Sequence, residues 1–290
     1  MALRIVIVGP GRVGTACGIR LRQNGADLLG FVGRHAERTA AAVRTVGAGA
    51  VLPPAAVARA HVVVFAVADP DLAAAIAAMR EMAPVRRCSL WVHTSGRYDH
   101  SVFGDLGERR VGCLHPVAPF ADAVSGAAAM VGAPGVYCGE PRALRLLHRL
   151  CELLDLQPVP VGALDRGLYH AACALAANGL TALWDIVERA FAAAGLDSSA
   201  TQLLARELMQ RAMAECAARG AVAALSGPVR RGDAATVALH RQRLHGALPA
   251  AEQAYTGLMQ VALELSRRAG LPAAAAEPVA RALADIVPPR

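Results

Sequence analysis

Residues 4–14, Arg-Ile-Val-Ile-Val-Gly-Pro-Gly-Arg-Val-Gly, constrain the fold more than any other stretch. Residues 5–8 are a short β-branched apolar run, the pattern of a strand buried on both faces of a parallel sheet. Gly9, Gly11 and Gly14 follow at G-x-G-x-x-G spacing, and residues 13–21 read as a helix. Each glycine has its own physical reason. Gly9 permits a sharp turn, Gly11 lets an anion approach the backbone, and Gly14 allows close packing of helix on strand. The helix N-terminus offers free N–H groups to that anion. The strand–turn–helix order predicts a dinucleotide site built from Gly9, Pro10, Gly11, Arg12, Val13 and Gly14. The competing reading is a glycine turn in an α/β fold that binds nothing.

The chain has 290 residues, room for one large or two ordinary domains. Hydrophobic residues make up 55% and charged residues 18%, so a packed core is expected rather than disorder. Apolar runs fall short of the roughly 18 residues of a membrane helix, and the N-terminal apolar run is too short for a signal peptide. A cytoplasmic protein with no membrane partner is therefore expected. The seven cysteines form no C-x-x-C pair, and Cys17, Cys138, Cys173 and Cys216 sit among apolar or small residues, as buried reduced thiols would. The net charge of +7 raises nucleic acid as a partner. Dispersed arginines and an aromatic content of only 4% argue against it, and a site for anionic small molecules suits the charge as well.

Residues 28–32 read as the second strand of a βαβ unit. Its end carries Gly33-Arg34-His35-Ala36-Glu37-Arg38-Thr39 instead of the acid that binds the ribose hydroxyls of NAD. Arg34, Arg38 and Thr39 favour the 2′-phosphate of NADP, with NAD still open; alternatively the arginines are solvated residues of the next helix. Residues 50–52 are a weak third strand and residues 61–67 a strong central one, so Val67 and Ala68 should flank the cofactor at its carboxyl end. Asp69 or Asp71 most simply caps the helix at 72–82. Residues 89–96 and 111–120 repeat a strand followed by a polar loop. They deliver His93, Thr94 and Ser95, then His115, to one sheet edge, as substrate or cofactor contacts or as structural histidines. One or two further strands are expected in 129–138, a helix at 141–154 and a last strand at 156–161.

Beyond Gly162 the strand pattern stops, and helices are expected at 164–195, 199–219, 233–246, 249–269 and 273–286. This gives an α/β fold with a Rossmann domain at 1–162 and an all-α domain at 163–290. On a continuous helix from 164 to 195, His170, Asn178, Thr181, Asp185 and Glu188 share one face. Such a stripe is the wall of a polar cleft or a hydrogen-bonding network between domains. In the cleft reading His170 exchanges a proton and Asn178 orients a carbonyl or carboxylate. In Ser226-Gly-Pro-Val-Arg-Arg-Gly-Asp233, Asp233 is placed to cap the next helix. Arg230 and Arg231 bind an anion or are solvated residues of a tight turn.

Together, the Gly-Pro-Gly-Arg-Val-Gly loop, the His93-Thr-Ser-Gly turn, the His115-Pro loop, Tyr169-His170-Ala-Ala with Asn178, and the segment from Ser226 to Val237 carry a resemblance. The chain resembles the bacterial Rossmann-like and DUF2520 domain oxidoreductases, a branch of the 6-phosphogluconate dehydrogenase-like superfamily. Pyrroline-5-carboxylate reductase, ketopantoate reductase and the β-hydroxyacid dehydrogenases are more distant relatives. The resemblance implies a helical second domain that commonly forms a homodimer, with the active site in the cleft between domains. In the last two relatives a catalytic Lys lies on the first long helix of that domain; here His170 takes its position and Asn178 is retained.

The combined expectation is an NADP-dependent oxidoreductase moving a hydride between nicotinamide and a C=O or C=N carbon of a small anionic substrate. His170 serves proton transfer, Asn178 orientation, and Ser95 and His115 substrate contact; no metal constellation is expected. A non-catalytic NADP(H)-binding sensor or partner-binding protein is the alternative.

Overall fold

The computed structural model describes residues 3–82, 89–106 and 110–285. The chain divides into two compact units, Met1–Ala177 and Asn178–Arg290.

The first unit is built on one eight-stranded sheet. Its strands are β1 (Arg4–Val8), β2 (Asp27–Val32), β3 (Ala50–Val51), β4 (Val62–Phe65), β5 (Leu90–His93), β6 (Arg110–Pro116), β7 (Pro134–Gly139) and β8 (Gln157–Pro160). They lie in the order β3-β2-β1-β4-β5-β6-β7-β8. The first six are parallel, in the order of dinucleotide-binding folds. β7 runs against β6, and β8 runs with β7. Helices α1 (Arg12–Gln23), α2 (Ala36–Val46), α3 (Leu72–Met82), α4 (Ala123–Met130), α5 (Leu144–Leu153) and α6 (Arg166–Ala174) complete the unit.

The central strands lack alternation because both faces are covered. Ile5, Ile7, Val62 and Val64 pack in one cluster with Ala16, Leu21 and Leu147; Val6, Val8, Val63 and Phe65 pack in another with Leu72, Ile76 and Trp91. Each such side chain, fully buried, contributes about 1.5–3 kcal/mol.

The second unit is helical: α7 (Leu180–Ala193), α8 (Ser198–Arg219), α9 (Ala221–Ala224), α10 (Pro228–Arg231), α11 (Ala234–Ala247), α12 (Pro249–Arg268) and α13 (Ala273–Ala284). Its core gathers Val229, Val237, Leu263, Val279 and Leu283 from α10 to α13. A buried Arg241–Glu252 pair at 2.7 Å joins α11 to α12, and Arg241 also donates to the carbonyls of Ala282 and Asp285. Asp233 caps α11 by accepting from the Thr236 N–H at 3.0 Å, as its position before the helix predicts. Arg230 donates to the Ala269 carbonyl, so it ties α10 to the end of α12. α8 buries only Thr201 and Ala205, while Leu203, Leu204, Leu208 and Met213 are exposed.

The structure corrects several expectations. The helix expected over 164–195 is broken: a π-turn at Leu175–Gly179 separates α6 from α7. A π-turn takes one residue more than an α-turn, so the single face computed for His170 through Glu188 does not carry across it. The strand expected from residue 129 begins at Pro134, because Asp122 caps a helix there through the Val124 and Ser125 N–H groups. Cys216, expected buried, is exposed. The last helix ends at Ala284; the expected end at residue 286 lies outside the described residues.

Candidate functional site

The β1–α1 turn builds a cradle. Gly9 holds φ +107°, and a Cβ there would lie 2.5 Å from the Ala66 carbonyl oxygen. Gly14 meets the same limit against the Gly9 carbonyl oxygen at 2.1 Å. Gly11 differs: its Cβ position has open space around it, and as the N-cap of α1 it makes no side-chain cap, so the helix N-terminus faces outward. This is the geometry that admits a pyrophosphate to the backbone. The turn opens on a cavity of about 680 Å³ lined by Gly9, Pro10, Gly11, Arg34, Arg38 and Asp71, with Val67 and Ala68 also on its wall.

Arg34 and Arg38 are exposed on the rim. Arg34 donates to the Asp71 carboxylate at 2.8 Å, so Asp71 is its ion-pair partner on the rim. Thr39 is buried and donates to the His35 carbonyl at 2.8 Å, which removes it from phosphate recognition.

The carboxyl ends of β4, β5 and β6 continue along the same edge. The structure separates the two strand-end histidines. His93 is fully buried, its Nε2 is 3.0 Å from the Asp99 carbonyl, and its ring packs on Phe103. Burial pushes its pKa down to about 4. It is a core residue, not a ligand contact. His115 lies in a cluster instead. Its Nδ1 is 2.7 Å from the Tyr169 hydroxyl, and its ring centroid is 6.4 Å from that of His170. Burial first, then the neighbouring His170 and Arg166, push the His115 pKa down to about 4. Burial, with Cys173 next to it, raises that of Tyr169. Gly96 makes room for the cluster: a Cβ there would lie 3.0 Å from His115 Nε2 and 3.1 Å from His170 Cδ2. Ser95, half-buried beside Gly96, accepts from the Arg97 N–H at 3.1 Å.

Residues 1–118 match the Rossmann-like domain family, and residues 135–261 match the domain of unknown function DUF2520. The chain pairs a Rossmann-like domain with a DUF2520 domain. No curated protein matches the sequence. Among solved structures, BF3122 of Bacteroides fragilis, a candidate NADP oxidoreductase, is similar at 18% identity and TM-score 0.75, over 91% of this chain and 98% of that one. A reductive aminase of Aspergillus terreus, in complex with NADPH and ethyl-5-oxohexanoate, is similar at 17% identity and TM-score 0.62, over 93% and 94%. A pyrroline-5-carboxylate reductase of Coxiella burnetii is similar at 15% identity and TM-score 0.59, over 97% and 98%. At these identities the likeness is one of fold.

The expected residues therefore fall in three places. Gly9, Pro10, Gly11, Arg34, Arg38, Val67 and Ala68 line one cavity in the Rossmann-like domain, with Arg12, Val13 and Gly14 on the first turn of α1. His115 of that domain faces His170, which lies within the DUF2520 match, and Ser95 adjoins Gly96 between them. Asn178 sits on the π-turn, exposed, in the second compact unit. Sequence reasoning missed Tyr169 as a partner of His115, and it missed Arg166 and Gly96. Arg166 had a signal: a cation in the first turn of a helix opposes the helix dipole, which calls for a partner elsewhere. Among the described residues no group of three or more His, Cys, Asp or Glu is arranged to hold a metal ion. Among them no helix is long and apolar enough to cross a membrane.

Proposed function

We propose that this chain is an NADP-dependent oxidoreductase acting on a C=O or C=N carbon of a small anionic substrate. The observation that carries the reading is the open backbone at Gly11 under a cavity rimmed by Arg34 and Arg38, on the sheet edge that also ends in the His115–Tyr169–His170 cluster. The names of the fold neighbours, a candidate NADP oxidoreductase and a pyrroline-5-carboxylate reductase among them, support the same class.

The nicotinamide group supplies hydride transfer when bound. The chain does the rest. The α1 N-terminus and Gly11 take the pyrophosphate, and Arg34 with Arg38 takes the 2′-phosphate. The Tyr169 hydroxyl and His115 Nδ1 share a hydrogen bond at 2.7 Å, which fixes the ring so that Nε2 stands beside Gly96. Held neutral by its surroundings, His115 contacts the substrate as a hydrogen-bond donor, together with Ser95. His170, exposed next to it, exchanges the proton, and Asn178 orients the substrate's carbonyl or carboxylate. The exposed leucines of α8 suit a second copy of the chain, in a homodimer.

Titration of the purified protein with NADPH and with NADH, followed by cofactor fluorescence, tests the cofactor half. NADPH binding tighter than NADH by roughly tenfold or more supports it. A screen of keto and imino acids against bound NADPH tests the other half; tight NADPH binding with no oxidation by any of them would favour a nucleotide-binding sensor instead.

A further inference from the structure

Cys113 on β6 and Cys138 on β7 are directly opposed in the antiparallel pair, with their Sγ atoms 3.2 Å apart. Opposed antiparallel residues stand about 4.5–5.5 Å apart at Cα, inside the span of roughly 4.4–6.8 Å that a disulfide bridges. Arg166 is aimed at both sulfurs: its Nη2 lies 2.8 Å from Cys113 Sγ and 2.9 Å from Cys138 Sγ. The guanidinium is buried, with 7% of the residue exposed, and its Nε and Nη1 have no hydrogen-bond partner among the described residues. A buried cation in that setting needs an anion. Among the described residues no carboxylate lies within ion-pair distance of it, and the sulfurs are the groups that its one partnered nitrogen reaches.

We propose that Cys113 and Cys138 are a redox-active dithiol, with Cys138 as the thiolate paired to Arg166 and Cys113 as the resolving thiol, converted to a disulfide by peroxide. Cys138 is the better thiolate on geometry: it also has His100 Nδ1 at 3.7 Å, and it keeps 8% of its surface exposed where Cys113 has none. Its pKa is pushed down to about 5, first by the Cys113 thiol that donates to it, then by His100 and Arg166 against the cost of burial. Cys113 is pushed the other way, so it holds its proton.

The steps balance. The Cys138 thiolate attacks one peroxide oxygen, the O–O bond breaks, and hydroxide leaves; Cys138 becomes a sulfenic acid. The Cys113 sulfur then attacks the Cys138 sulfur, the S–O bond breaks, and the thiol proton leaves with the departing hydroxide as water. Two thiols and one hydrogen peroxide become one disulfide and two waters. A dithiol reductant reverses the result by thiol exchange. Nothing in the sequence of steps involves a nucleotide, so the site stands or falls apart from the proposed NADP activity. Its neighbours give it a route to that activity nonetheless. The Arg166 guanidinium carbon lies 5.7 Å from the Tyr169 ring centroid, and His115 is two residues along β6 from Cys113. Disulfide formation removes the anion that Arg166 faces, next to the Tyr169 ring that holds His115.

The test uses the full chain. The protein is treated with hydrogen peroxide, unfolded, alkylated and digested, and the peptides are mapped by mass. The expected product is a linked pair containing Cys113 and Cys138, two hydrogens lighter than the separate peptides and released by dithiothreitol. In Cys113→Ser the reaction should stop at a sulfenic acid on Cys138, trapped by dimedone. Arg166→Met should slow wild-type loss of the Cys138 thiol roughly tenfold at neutral pH. Wild-type protein in which Cys113 and Cys138 both remain fully alkylated while exposed Cys216 is oxidised would overturn the proposal. That comparison decides it even where the variants fail to fold.

Discussion

The Nδ1 atom of His115 lies 2.7 Å from the hydroxyl of Tyr169, a residue 54 positions further along the chain. The contact orients the imidazole through a phenol that keeps its proton. Tyr169→Phe removes only that hydroxyl. The expected outcome is a fall in kcat of about 10²-fold with NADPH affinity unchanged, measured by steady-state kinetics alongside a binding titration. His170→Ala should also lower kcat while sparing NADPH binding.

The Arg34–Asp71 ion pair places a carboxylate in competition with the proposed 2′-phosphate. Arg34→Ala is expected to weaken NADPH by roughly tenfold, about 1.4 kcal/mol, and to leave NADH alone. Asp71→Asn should move NADPH the other way, since the guanidinium no longer has to leave a charged partner. Cofactor fluorescence titrations of both variants check the two signs.

Two glycines of the loop, Gly14 and Gly11, should respond differently to alanine. Gly14→Ala sets a Cβ against the Gly9 carbonyl and is expected to cost about 2–3 kcal/mol in a urea melt. Gly11→Ala meets nothing in the protein, so its melt should match the wild type. Its NADPH affinity should nonetheless fall, because the added methyl occupies the space the pyrophosphate needs.

His93 and His115 both titrate near 4 in the native state, against about 6.5 when unfolded. Between those values the unfolded chain binds protons that the native chain refuses. Stability from this source is therefore complete above about pH 6.5, declines as the pH falls, and levels off below about 4. The slope approaches about 1.4 kcal/mol per pH unit for each histidine. Urea melts from pH 7 to 4.5 should show a shallower decline in His93→Gln than in the wild type.

The proposed homodimer through α8 gives a last expectation. Leu208→Glu places a charge among the exposed leucines of that helix, and light scattering should report a dimer for the wild type and a monomer for the variant.

The nucleotide half of the fold was legible because its constraints are local. Residues 5–14 contain strand, turn and helix start together, and Gly9 and Gly14 answer to backbone approaches that no other residue permits. The second half was less so. Nothing local distinguishes His93, which turns into the core, from His115, which does not; the difference lies in Phe103 and Tyr169, brought in by the chain's path. The π-turn at Leu175–Gly179 was also hidden, because an Ala- and Leu-rich stretch has the composition of an unbroken helix. Arg166 and its two cysteines are far apart in sequence, and only the antiparallel register of β6 and β7 unites them.

The reversal of β7 and β8 against the first six strands also bears on synthesis. The glycine loop, Arg34, Val67 and Asp71 all belong to the part of the chain made first, whereas Tyr169 and His170 follow only after the last two strands. A nascent chain emerging from the ribosome thus completes its nucleotide cradle well before the residues that stand against His115 exist.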